Sequence, residues 1–216
     1  MYERFLEKWF AQSETDDRSG RLLSLWVYGR EPHLQSFSAE LVRLMKAKRR
    51  RMSIAPTDSL AAELDASQDL NANPEDRARA RARTKELETI PLLVLNSGPG
   101  LANLVGRSLL WTDSIVNERY SGRRATIVLS TVDPVAAYES RGIGQEDYSM
   151  PRIVGRILED GDAIEVTEDG AYCAEFVFSS RAAADYRIKI LKDRVGRVAV
   201  MRPPAENDGK ASDEAP

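Results

Sequence analysis

Apolar and polar positions along this 216-residue chain follow two rhythms, one with the three- and four-residue spacing of a helix face and one of short continuous runs of strand length. Phe5, Leu6, Trp9 and Phe10 keep the helical spacing and predict a short aromatic-faced helix over residues 2–11, followed by a polar loop to Gly20. Residues 21–29 (RLLSLWVYG) form an apolar run closed by Gly29 and Pro32, which predicts a first buried strand. Leu34, Phe37, Leu41, Leu44 and Met45 then resume the helical rhythm over residues 33–52. That helix ends in Lys46, Lys48, Arg49, Arg50 and Arg51, where its dipole favours positive charge.

The next segment, residues 53–90, reads as a helical insertion. It has a capped start at Thr57-Asp58-Ser59, a short helix through Leu60 and Leu64, and a break at Asn73-Pro74. An exposed helix over residues 75–88 follows, with Arg and Ala alternating and only Leu87 and Ile90 to anchor it. Residues 91–95 predict a second strand, Asn96 to Gly100 a tight loop, and residues 101–111 a helix with Leu101, Leu104, Val105 and Leu109 inward. Thr112-Asp113-Ser114 supplies caps for a further short helix that stops at Gly122, ahead of a third strand over residues 125–132. Asp133-Pro134 opens a helical turn that gives way to a long polar loop, a candidate mobile surface. Apolar runs at 153–158, 163–167 and 172–178, separated by Asp160-Gly161 and Asp169-Gly170, predict an antiparallel meander; a helix at 181–192 and a strand at 195–201 close the pattern.

The expectation is an α/β or α+β fold, a mixed sheet with flanking helices and a C-terminal antiparallel meander. Residues 1–20 form an N-terminal helical arm and loop, residues 21–203 a single core carrying the insertion at about 53–90, and residues 204–216 an acidic tail. With no large apolar residue the tail has nothing to offset the entropy of ordering and is expected to be disordered.

Composition narrows the function classes. At 42% hydrophobic and 30% charged residues the chain is too apolar to be disordered as a whole. Its 31 Lys and Arg against 34 Asp and Glu leave a net charge of −3, so any nucleic-acid contact must come from a local patch. One cysteine, Cys173, excludes an internal disulfide, and one histidine, His33, excludes a histidine metal cluster; no metal site is predicted. No apolar run approaches the roughly 20 residues of a membrane helix, and the N-terminus lacks a basic start followed by a continuous apolar stretch. The expected setting is the cytoplasm, without membrane insertion.

Three groups of residues can carry chemistry. Ser97, Gly98 and Gly100 lie between a strand and a helix that bears Arg107, an arrangement in which backbone N–H groups at a helix start favour an anion. Neither GxxxxGK[ST] nor GxGxxG is present, since Asn103 stands where the latter needs glycine, and a turn that merely reverses the chain accounts for the same residues. Lys46, Lys48, Arg49, Arg50 and Arg51 form a basic patch able to contact nucleic-acid phosphates, although no aromatic residues are interleaved for base stacking and a solvated helical surface is the preferred reading. Asp133, Glu139, Glu146 and Asp147 could supply metal oxygens or act as general bases, though their spacing matches no metal motif and Asp133-Pro134 is also an ordinary helix entry. Cys173 in an apolar run and His33 on a distant helix make a nucleophile-base pair an unsupported reading.

The functional expectation is a cytosolic regulatory or accessory protein, an inhibitor or adaptor, acting mainly by protein–protein contact through its aromatic arm and charged helices. The alternatives are a nucleotide- or nucleic-acid-phosphate enzyme using the Ser97–Gly100 turn and a nucleic-acid binder using the Lys46–Arg51 patch. No catalytic motif is recognisable and no cofactor is specified. Deleting residues 205–216 should leave the melting temperature within about 1 °C of the full chain; a large drop in a thermal melt would show the tail docked on the core.

Overall fold

The computed structural model describes residues 1–15, 21–57, 60, 71, 73–98, 107–139 and 149–174. Their elements are α1 (Glu3–Thr15), β1 (Ser24–Gly29), α2 (Glu31–Ala47), β2 (Met52–Pro56), α3 (Pro74–Thr89), β3 (Leu92–Gly98), α4 (Arg107–Ser121), β4 (Ala125–Ser130), α5 (Pro134–Glu139), α6 (Ser149–Asp160), β5 (Gly161–Val166) and β6 (Ala171–Cys173). The strands form one six-stranded sheet in the order β2-β3-β4-β1-β5-β6, with the first five parallel and β6 antiparallel to β5. This is the expected mixed sheet with flanking helices, and the expected C-terminal antiparallel meander is represented among the described residues by the pair β5 and β6.

Because side chains alternate across a strand, each central strand feeds two cores. Leu25, Val27, Leu92, Val94, Ile127, Leu129, Ile164 and Val166 face α1 and α2 together with Leu6, Phe10, Phe37 and Leu41. Trp26, Leu93, Leu95, Val128 and Ala163 face the opposite layer, which takes Leu87 from α3, Leu109, Ile115 and Val116 from α4, Ala137 from α5 and Met150, Ile153, Val154 and Ile157 from α6. α1 is fastened to the sheet by the Tyr2 hydroxyl, which donates to the Thr167 carbonyl at 2.7 Å, and by Trp9 Nε1, which donates to the Leu23 carbonyl at 3.2 Å.

Four local expectations are corrected. Residues 153–158 are not the first strand of a meander but the inner face of α6. Ile153, Val154, Ile157 and Leu158 recur at helical intervals, a pattern that a short apolar run shares with a strand. Thr112, Asp113 and Ser114 do not cap a new helix but lie within α4. Asp113 is buried and its carboxylate accepts from Arg152 of α6, so it does not compete for nearby backbone N–H groups. Residues 52–56 belong to the sheet as its edge strand β2, held by main-chain pairing with β3 rather than by β-forming side chains, and α2 accordingly ends at Ala47. β3 runs on from Leu92 through Asn96 and Ser97 to Gly98, which the sequence assigned to a loop. The predicted elements at 181–192 and 195–201, the tail and the loop at 140–148 lie outside the described residues.

One side chain knits three elements. Arg119 is fully buried on the inner face of α4. It donates to the Leu87 and Ile90 carbonyls at the end of α3, to Thr126 Oγ1 at 3.0 Å and to the Ala125 carbonyl at the start of β4. Burial, and after it the like charge of Arg124, lowers its pKa to about 9, so at neutral pH it remains a cation surrounded by oxygen acceptors. Thr126 in turn donates its backbone N–H to Ser24 Oγ at 3.1 Å, extending the buried polar chain to β1. Arg119→Met should therefore strand buried carbonyls and destabilise the protein by about 3–5 kcal/mol, and Arg119→Lys should recover only part of this, since an ammonium has three donors instead of a planar fork of five. Chemical denaturation of the two variants checks this; a loss below about 1 kcal/mol for Met would show the carbonyls re-paired.

Candidate functional site

In an open parallel sheet, ligands are bound at the carboxyl ends of the strands where successive connections leave toward opposite faces. Here that point lies between β1, whose connection leads to α2 on one face, and β4, whose connection leads to α5 and α6 on the other. The residues at this edge are Gly29 and Arg30 after β1, Asn96, Ser97 and Gly98 of β3, and Ser130 to Asp133 after β4.

The β1–α2 connection is a single residue. β1 ends at Gly29 and α2 begins at Glu31, with Arg30 as an extended N-cap that makes no side-chain capping bond. The first turn of a helix ordinarily presents free N–H groups to an anion. In α2, Pro32 has none, the His33 N–H is engaged by the Arg30 carbonyl at 3.0 Å, and the Leu34 N–H donates to the same oxygen at 3.1 Å. The Glu31 N–H remains, on an acidic residue whose carboxylate accepts from Gln35 Nε2 at 3.4 Å. Gly29 lets the turn lie flat against β5, since a Cβ on it would sit 2.4 Å from the Val166 carbonyl oxygen. A phosphate cradle of the GxxxxGK[ST] kind, with lysine and hydroxyl at the helix start, is not built here.

The neighbouring strand ends are polar and carry one carboxylate, that of Asp133. β3 carries Asn96 and Ser97, and the β3–β4 register shifts between Asn96 and Gly98, leaving Ser97 as the extra residue of a bulge. Ser130 is buried, its Oγ accepting the Val132 N–H at 3.0 Å, while the Val132 carbonyl accepts from Trp26 Nε1 at 3.1 Å. Asp133 accepts the Val135 and Ala136 N–H groups, each at 2.9 Å, which makes it the cap of α5. A metal-assisted phosphoryl transfer would require a carboxylate held for Mg²⁺ at this edge. Among the described residues no group of three metal-ligating side chains occurs.

Of the residues singled out in the sequence, Ser97, Gly98 and Asp133 are thus brought to one edge, and Arg107 opens α4. Glu139 ends α5, while Gly100, Glu146 and Asp147 lie outside the described residues. Lys46, Lys48, Arg49, Arg50 and Arg51 are exposed at the far end of α2, on the opposite edge of the sheet. Cys173 is half-buried in β6. Arg119 escaped the sequence reading, although its place in step with Ile115 and Val116 on an apolar face was a signal that it would be buried.

No protein-family model matches the chain, and neither does any curated protein. Solved structures do. DnaI is similar at a TM-score of 0.54 and 19% identity, over 76% of this chain and 79% of that one. The DnaC helicase loader follows at 0.52 and 14%, over 76% and 89%. DnaA from Aquifex aeolicus bound to AMPPCP is similar at 0.51 and 17%, with 76% of this chain spanning 44% of that one. The chain shares with these proteins a mostly parallel sheet flanked by helices. At these identities the likeness concerns the fold alone. No helix among the described residues is long and apolar enough to cross a membrane.

Two substitutions test the geometry of this edge. Gly29→Ala should destabilise the protein by about 1–3 kcal/mol through the clash with Val166, and Asp133→Ala by about 1 kcal/mol through loss of the cap. Urea denaturation measures both; an unchanged midpoint for Gly29→Ala would mean that β1 and β5 separate easily.

Proposed function

We propose that this chain is an accessory protein of a DNA-replication assembly. It uses a P-loop-like scaffold for macromolecular contact and does not turn over nucleotide at its β1–α2 junction. The observation that carries this reading is the one-residue junction at Arg30, where Pro32 and the bonded His33 N–H leave no ring of donors for a phosphate. The replication context rests on the likeness to DnaI and to the DnaC helicase loader. On that analogy the partner is a replicative helicase, and the work is done in the cytoplasm.

A second reading keeps a nucleotide at the same edge. It is favoured by the likeness to an AMPPCP-bound DnaA and by the bulge that sets Ser97 out of register at the end of β3. In this reading Ser97, Gly98, Gly100 and Arg107 form the anion site in place of the β1–α2 turn, with Asp133 close to the bound group.

Thermal melts with ATP, AMPPCP and inorganic phosphate, with and without Mg²⁺, separate the two. A ligand at about a hundredfold its Kd stabilises by about 2.7 kcal/mol. The expected result is no rise with any of them, together with a complex with the helicase that forms on size exclusion without nucleotide. A rise lost in Arg107→Ala, or a complex that forms only with ATP, would overturn the first reading in favour of the second.

A further inference from the structure

At the opposite edge of the sheet, the amino ends of β1, β3 and β4 meet the carboxyl ends of α2, α4 and α6 around an open cleft of about 780 Å³. Its wall carries four guanidinium groups, those of Arg21, Arg50, Arg123 and Arg124, and one carboxylate, that of Asp160. Asp160 is paired with Arg21. Among the described residues no carboxylate pairs with Arg50, Arg123 or Arg124, so the cleft holds three uncompensated cations.

The backbone is arranged to present them. α2 and α4 end in the same turn: the Arg50 N–H donates to the Met45 carbonyl at 2.9 Å and the Arg124 N–H to the Arg119 carbonyl at 2.8 Å. In each turn the preceding residue adopts a left-handed conformation, Arg49 at φ 51° and Arg123 at φ 53°. Glycine is the usual residue at that position. The helix dipole explains basic residues in a last turn, but not arginine at the glycine position of two helices that meet at one cleft. The rim is also held in place, since Lys48 Nζ and the Arg50 guanidinium lie 5.2 and 5.9 Å from the centre of the Phe10 ring of α1. Outside the cleft the positive charge continues along exposed Lys46, Lys48, Arg49 and Arg51.

We propose that this cleft binds the sugar-phosphate backbone of a nucleic-acid strand, with Arg50, Arg123 and Arg124 as its phosphate contacts and Arg49 and Arg51 continuing the track. The cleft is open and its charge runs on beyond it, which suits an extended polyanion better than a single small anion. Leu22 and Ala125 are buried beneath the wall, and the half-buried Tyr120 ring already has the Arg156 guanidinium over it at 4.3 Å, so exposed Pro91 is left and a peptide would find little to anchor its side chains. The net charge of −3 confines the binding to this edge.

Fluorescence anisotropy with a labelled single strand of about 20 nucleotides tests this in the full chain. Three phosphate contacts predict a log–log salt slope of about −2. The pair Arg50→Glu with Arg123→Glu should weaken binding by about tenfold or more, and a control pair on α3, Arg79→Glu with Arg81→Glu, by less than about twofold. No binding at about 50 mM salt, or an equal loss in both pairs, would overturn the proposal. Displacement by a polyglutamate peptide of equal length would reassign the cleft to acidic peptides. A phosphate-induced rise in melting temperature without strand binding would reassign it to small anions, and either result overturns the proposal too. If charge reversal unfolds the protein by circular dichroism, Arg50→Gln with Arg123→Gly carries the test, because glycine relaxes the left-handed turn. Unchanged affinity and salt slope in that variant would be equally decisive against the site.

Discussion

A buried cation with no carboxylate partner among the described residues organises this molecule. Arg119 sits where α3 ends, α4 ends and β4 begins, and its guanidinium is the donor for carbonyls that would otherwise face the interior unpaired. Removing a guanidinium from water is costly, so the arrangement is stable only with its acceptors fixed in place. That requirement fixes the first residues of β4 against the last turn of α3, and through Thr126 and Ser24 it reaches the neighbouring strand β1. The helix end that follows Arg119 is also the one that brings Arg123 and Arg124 to the amino edge of the sheet.

The two edges of the sheet have opposite characters. At the carboxyl edge the strand ends are closed by local bonds: Ser130 and Asp133 cap their own turns, Trp26 reaches Val132, and Tyr2 covers Thr167. At the amino edge three arginines face solvent across an open cleft. The open charged surface therefore lies across the sheet from the carboxyl edge, where open parallel sheets ordinarily bind their ligands.

The sequence made the class of fold legible because β1, β3 and β4 are buried on both faces and read as continuous apolar runs, while α2 keeps a clean helical period. It misled where chemistry and geometry part. The run Ile153 to Leu158 is as apolar as a strand, and only its spacing marks it as α6. Met52–Pro56 has a single β-branched residue, Ile54, among Ser53, Ala55 and Pro56, and becomes a strand through main-chain pairing with β3. For the candidate site, the sequence located Ser97, Gly98 and Asp133 and the Lys46–Arg51 patch, but nothing in their spacing shows that the first three share one edge and the last lies on the other. Arg21, Arg123 and Arg124 were invisible as a group because they are brought together by parallel-strand register across about a hundred residues.

α6 passes into β5 without an intervening loop, Asp160 ending the helix and Gly161 starting the strand. A Cβ at Gly161 would lie 1.5 Å from the Ser24 carbonyl oxygen, so the two backbones are in direct contact at this joint. Asp160 meanwhile grips Arg21, three residues before β1 begins. The joint therefore behaves as a rigid elbow. α6 cannot tilt against α4 without dragging the start of β5 and the Arg21 arm with it. A force applied to that helix by a neighbouring molecule would reach the far edge of the sheet as a displacement, because no slack segment lies between to absorb it.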